Sequence, residues 1–273
     1  MSHKKLDIIR EATFLREMVP VSPNDPVGDI IETASKIGYE IHEIRFKDKF
    51  AAFCKAFSNE RFAIILNKNL IWNNNFLRFT IAHEFGHLSL LEHRAALQRG
   101  DLDKSRPEFQ SNKPMEIEAD YFAINFLVPK QAFEAVAQFK NFSFESLLEI
   151  GEHFGISILA TAFRFVELTD LTCSMISVDA TTGKVKYEKR SREFEDLGYA
   201  EYLYGKKVPP GTNTYDVLRS PPTTYPYTDE VNLIDWYPDL RKKASCTESI
   251  MHLGYNNTLV VLIELNEDLE DLK

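Results

Sequence analysis

The chain has 273 residues, 44% hydrophobic and 27% charged, with a formal charge of −9 from 32 basic and 41 acidic side chains. A length of this order corresponds to about 1.8 average domains, and the apolar fraction is that of a chain with a buried core, which excludes a disordered or low-complexity protein. The acid excess excludes a protein whose main task is to coat nucleic acid. Three cysteines, Cys54, Cys173 and Cys246, are too few and too far apart for a disulfide framework or a thiolate zinc knuckle. The opening segment is charged and lacks the apolar core of a secretory signal, and no apolar run approaches the ~20 residues of a membrane helix. The expectation is a soluble, cytoplasmic, acidic protein with no membrane partner.

In chain order, Leu6, Ile9, Phe14 and Met18 are loosely helix-spaced before Pro20, Pro23 and Pro26 interrupt the pattern. Asp25-Pro26 reads as a cap and first-turn proline opening a helix over Val27–Lys36, which Gly38 stops. Three short β-branched and aromatic segments follow, Tyr39–Phe46, Phe50–Ala56 and Arg61–Leu66, and predict a three-stranded antiparallel meander. The period then becomes helical from Asn75 to about Leu91, with Phe76, Phe79, His83, His87 and Leu90 on one face. The polar stretch His93–Pro114 predicts a long functional loop. A second helix is expected over Met115–Val128, and a helix-turn-helix pair over Phe144–Leu168 with Ser143 and Ser157 as N-caps. Beyond Leu171 the chain turns β-rich. Cys173–Val178 and Lys184–Lys189 flank a turn, five of the twelve prolines mark extended chain between Pro209 and Pro226, and Leu259–Leu265 reads as another strand. A division near residue 170 gives an N-terminal unit over 1–170 and a β-rich unit over 171–273.

The segment His83-Glu84-Phe85-Gly86-His87 is an H-E-x-x-H motif inside a predicted helix. Residues four apart project from one side of a helix, so both imidazoles can share a metal ion. Glu84 sits about 100° further round, beside such an ion rather than on it, where its carboxylate can take a proton from water. With 7 histidines in 273 residues the motif is rare by chance, and core histidines on an apolar face are the weaker reading.

A catalytic zinc requires a third protein ligand, and His93, Glu116 and Glu118 are the candidates. An unbroken helix puts His93 about 240° from His87, out of reach, which leaves a solvated histidine past the helix end. The second helix carries an apolar stripe of Ala119, Phe122, Ala123, Phe126 and Leu127. Glu116 falls inside that stripe and Glu118 outside it. A carboxylate in an apolar stripe is costly unless paired, so Glu116 is the favoured ligand and Glu118 a solvated surface charge. Asp120, four residues after Glu116, is placed to accept a hydrogen bond from a ligand imidazole and fix its tautomer.

The runs Arg78-Phe-Thr-Ile-Ala-His-Glu-Phe-Gly-His87 and Glu116-Ile-Glu-Ala-Asp-Tyr-Phe-Ala-Ile-Asn-Phe-Leu-Val-Pro129 resemble the ImmA/IrrE family of zinc metallopeptidases at nearly every defining position. The resemblance covers about residues 28–170. It implies an α+β, zincin-like peptidase domain, one zinc ion on His83, His87 and Glu116, and Glu84 as catalytic base, with aspartate at position 120 where the family has asparagine or aspartate. It also implies a protein substrate of the helix-turn-helix transcriptional repressor class. The expected activity is therefore zinc-dependent endoproteolysis of a regulatory protein. The alternative is a regulatory binding protein that keeps the fold and captures a repressor- or antitoxin-type partner uncleaved. Direct DNA binding is disfavoured, because the second helix of the 144–168 pair is mostly apolar and carries Arg164 alone as a basic group. The acidic run Glu264, Glu267, Asp268, Glu270 and Asp271 reads as a solvated tail.

Overall fold

In a computed structural model, residues 3–47, 50–57, 61–71, 73–100, 113–241, 243–254 and 257–266 are described. The chain divides into two compact units, one of Met1–Phe139 with Ile150–Ala160, the other of Lys140–Glu149 with Thr161–Lys273.

The first unit opens with helices α1 (His3–Glu17) and α2 (Ile30–Lys36). The start of α2 lies later than Asp25-Pro26 predicts. Asp29 is the N-cap, its carboxylate accepting from the backbone N–H of Ile31 and Glu32 at 2.8 and 2.9 Å. Val27 and Gly28 stay outside the helix, and their carbonyls accept from Arg78 instead. Strands β1 (Glu40–Ile44), β2 (Ala52–Ala56) and β3 (Phe62–Asn67) form a sheet in the order β1-β3-β2. Its topology corrects the expected antiparallel meander: β1 runs parallel to β3, and only β2 is antiparallel to it. The cause is burial. Every residue of β3 is buried, so it takes the centre, whereas the half-polar β1 occupies an edge. Asn67, at the end of β3, secures the crossing chain by accepting from Phe46 N–H at 3.1 Å and donating to the Phe50 carbonyl at 3.0 Å.

Helix α3 (Asn74–Ser89) begins at Asn73, whose side chain accepts from Phe76 N–H, and is buried almost all round from Phe76 to Leu88. The polar stretch after it is not wholly a loop. Leu90 adopts an extended conformation, ψ 123°, after which α4 (Leu91–Arg99) starts in a new direction and ends at Gly100, φ 80°. The rest of the predicted loop, residues 101–112, lies outside the described residues. Helix α5 (Pro114–Leu127) starts on a proline, and α6 (Lys130–Ala137) follows Pro129. Helices α7 (Phe144–Phe154) and α8 (Ile158–Leu168) supply the expected helix pair. Arg164 is buried and ion-paired with Glu167 at 2.6 Å, so this basic group packs rather than projects.

The second unit is a five-stranded antiparallel sheet, in the order β5-β4-β8-β7-β6. Its strands are β4 (Cys173–Asp179), β5 (Lys184–Arg190), β6 (Tyr227–Asn232), β7 (Ser245–His252) and β8 (Thr258–Leu265). The expected hairpin forms between β4 and β5, where Asp179 accepts from Thr181 and Thr182 N–H and Gly183 takes a φ of 67°. Short helices α9 (Arg192–Glu195), α10 (Asn213–Arg219) and α11 (Leu233–Trp236) join the strands. The proline-rich stretch is thus not wholly extended: Thr212 caps α10, and the buried Glu248 of β7 accepts from Asn213 and Thr214 N–H at that helix start. Trp236, Tyr237, Leu233 and Ile250 are among the fully buried centre of this unit. Of the acidic run, residues 267–271 lie outside the described residues.

Candidate metal centre

Helices α3 and α5 bring three of the expected residues together. The ligand atoms of His83, His87 and Glu116 all lie within 4.8 Å of one another, and all three residues are buried. The two imidazole Nε2 atoms stand 3.1 Å apart. His83 Nε2 is 3.5 Å from Glu116 Oε2, and His87 Nε2 is 3.3 Å from Glu116 Oε1. Ligand atoms about 2.0–2.2 Å from a tetrahedral ion are about 3.3 Å from each other, so this donor set fits a small divalent cation. The close approach of the helices depends on Gly86. A Cβ there would stand 3.0 Å from Phe122 Cβ and 3.1 Å from Ala119 Cα.

Asp120 lies behind the first imidazole, with Oδ1 2.7 Å from His83 Nδ1. Burial works against charge on His83, but its hydrogen bonds to Asp120 and Glu116 prevail and raise its pKa to about 10. Glu116 is held in the opposite sense: burial opposes ionisation, yet His83 and His87 pull its carboxyl well below the ordinary range.

Glu84 is fully buried next to the cluster. Its Oε2 is 2.9 Å from Cys54 Sγ on β2, while its Oε1 has no hydrogen-bond partner among the described residues. A buried carboxylate oxygen without a partner is what a site for a bound ion and its water requires.

Two residues depart from their sequence reading. His93 is not solvated, because the extended Leu90 ends α3 and α4 returns His93 to the far side of His87, although it does not join the three converging ligands. Its Nδ1 is 3.0 Å from His87 Nδ1 and its Nε2 is 3.1 Å from Glu118 Oε2. Burial and the neighbouring His87 push the His93 pKa down to about 4, so the ring is neutral. Glu118 is not a solvated charge either: its side chain is 14% exposed and its Oε1 lies 2.7 Å from Lys4 Nζ on α1. Cys54 was also missed as part of the site. Its signal was the alternating burial of β2, which turns residue 54 inward.

Two imidazoles and a carboxylate, buried and convergent, with a further glutamate beside them, define a candidate mononuclear metal centre of the metallopeptidase type. Residues 55–166, which hold the whole cluster except Cys54, match the family model of the IrrE N-terminal-like domain, Peptidase_M78, and this segment is a domain of that family. No curated protein matches the chain. A Mycobacterium tuberculosis transcriptional regulator of known structure has a similar fold, with a TM-score of 0.58 at 12% identity over 97% of this chain and 77% of that one. Among the described residues no helix is long and apolar enough to cross a membrane.

Proposed function

We propose that the protein is a zinc-dependent endopeptidase that cleaves a regulatory protein, with His83, His87 and Glu116 holding the ion and Glu84 acting as general base. The observation that carries this reading is the convergence of the three donors beside a carboxylate whose free oxygen is buried with them. Zinc in such a site supplies Lewis acidity, drawing the pKa of water toward ~7 and polarising a peptide carbonyl. Glu84 takes the proton of the attacking water on Oε1, its other oxygen being engaged by Cys54, and passes that proton to the leaving amine. Asp120 keeps the His83 proton on Nδ1, so that Nε2 is free to bind the ion.

A substrate of the helix-turn-helix repressor class is supported by the family of the domain and by the likeness in fold to a transcriptional regulator. The net charge of −9 suits a basic, DNA-binding partner protein. The chemistry belongs to a peptidase domain over 1–170, with 171–273 as a β-rich domain appended to it, and the enzyme works in the cytoplasm. The second reading, capture of a repressor without cleavage, is favoured by the complete burial of His83, Glu84 and His87, which limits access to the reacting atoms.

Metal content and cleavage of a panel of helix-turn-helix repressors separate these readings. Wild type is expected to hold one zinc and cut its repressor; Glu84→Gln is expected to hold zinc and leave the repressor intact; Glu116→Ala is expected to lose both. A wild type that binds a repressor stoichiometrically, carries zinc and leaves every panel member whole would establish capture instead.

A further inference from the structure

We propose that His93 is a positioning residue for the second ligand, fixing the tautomer and plane of His87 through a polarised relay that runs His87–His93–Glu118–Lys4. The inference rests on the metal-centre reading and adds to it a role for two residues outside the ligand set.

The argument is one of proton placement. Nδ1 of His87 and Nδ1 of His93 face each other at 3.0 Å, and two ring nitrogens in that relation share a single hydrogen. His87 Nε2 points toward His83 Nε2 and Glu116 Oε1, so it needs a bare lone pair to bind a cation. The His87 hydrogen is therefore on Nδ1 and is donated to His93. His93 then accepts on Nδ1, and its own hydrogen sits on Nε2. That hydrogen is donated to Glu118 Oε2, 3.1 Å away. Glu118 is a carboxylate and accepts there, and its other oxygen accepts from Lys4 Nζ at 2.7 Å. The ring hydrogens of His87 and His93 each have one possible place once His87 holds an ion, and both rings are buried, whereas Lys4 at the end of the relay is exposed and also reaches Glu92.

The two ligand imidazoles are thus supported differently. His83 donates directly to the Asp120 carboxylate, whereas His87 donates to a neutral ring that is itself oriented by a carboxylate. The relay exists because α3 stops at Ser89: a continuous helix would carry His93 to the opposite side. Lys4 extends the relay to α1, so the residues that orient His87 come from α1, α4 and α5.

Zinc affinity by chelator competition, together with nitrogen NMR of the imidazoles in the zinc-loaded wild type, tests this. His93→Leu is expected to weaken zinc binding about 10–100-fold, the usual effect of removing a group that orients a ligand. His93→Gln, whose amide can accept from His87 and donate to Glu118, is expected to recover most of that loss. Leu91→Ala, a change at an exposed neighbour on α4 that touches no member of the relay, is expected to bind zinc as wild type does. The NMR measurement needs no substitution and should find His93 protonated on Nε2 and bare on Nδ1. A folded His93→Leu protein with wild-type zinc affinity, or a His93 ring protonated on Nδ1, would overturn the relay while leaving the metal centre standing. A wild type that takes up no zinc would overturn the metal centre itself, and the relay with it.

Discussion

Cys54 Sγ lies 2.9 Å from Glu84 Oε2, so the carboxylate expected to move protons is held on one side by a buried thiol. Burial, reinforced by the Glu84 charge, pushes the Cys54 pKa well up, and the sulfur keeps its hydrogen to donate. The pairing leaves Oε1 as the oxygen available to water. Replacing Cys54 by Ala strips a buried carboxylate oxygen of its donor, which costs about 1–3 kcal/mol. Cys54→Ala is therefore expected to lower the unfolding midpoint and reduce turnover at unchanged zinc content, with Cys54→Ser, which keeps a donor, closer to wild type. Unfolding curves and metal analysis of both variants check this, and a Cys54→Ala protein as stable as wild type would contradict it.

Gly86 supplies a second prediction, since it permits the close approach of α3 to Ala119 and Phe122 on α5. Helix propensity alone favours alanine over glycine by about 1 kcal/mol. Against it stands a contact at 3.1 Å with a backbone atom, which cannot move unless the helix does. Overpacking of this kind costs about 1–3 kcal/mol, so the net effect of Gly86→Ala is destabilising. Any separation of the helices also draws Glu116 from His83 and His87, so zinc affinity is expected to fall along with stability. Stability raised by the substitution would mean that the helices have slack between them.

How much of this was legible in the sequence depends on how local the interaction is. His83 and His87 follow from one helical period, and Glu116 and Asp120 from the position of a carboxylate within an apolar stripe, so all four stand out in the sequence itself. His93 and Glu118 do not, because their meeting depends on one extended residue, Leu90, and a leucine carries no stop signal. The strand order failed for a similar reason: spacing identifies strands, whereas the central place of β3 is set by its burial along its whole length. Helix α10 was hidden by flanking prolines, although Thr212 is an ordinary cap.

Arg78, five residues before His83, yields a third prediction. The residue is buried, and its guanidinium donates to the carbonyls of Val27, Gly28, Phe154 and Gly155. Gly155 has a φ of +63°, and a Cβ there would meet Arg78 Nε at 2.7 Å, so the residue is glycine for two independent reasons. Arg78→Met keeps much of the stem but leaves the carbonyls without these donors, each buried loss costing about 1–3 kcal/mol before relaxation. Loss of several kcal/mol in urea unfolding is expected, with Arg78→Lys intermediate because an ammonium cannot span four acceptors. An Arg78→Met protein within about 1 kcal/mol of wild type would show that water satisfies those carbonyls equally well.

The pH dependence of metal-stripped and zinc-loaded protein should differ in a defined direction. In the stripped protein His83 titrates at about 10, against an ordinary value of 6.5. A base whose folded pKa is raised stabilises fully below the unfolded value and loses that stabilisation as pH rises through the folded one. The stripped protein should therefore lose stability between pH 7 and 10. The Glu116 carboxyl, displaced downward, acts at the other end: its contribution is present above about 4.5 and disappears as pH falls further. Zinc must displace the His83 proton throughout the window below about 10, so its apparent affinity rises with pH by up to about tenfold per unit. The gap in melting temperature between loaded and stripped protein should consequently widen from pH 7 to pH 9. Asp120→Asn, which removes the charge that holds the His83 proton, should flatten that trend. A gap that stays constant across the range, or narrows, would place the competing proton somewhere other than His83.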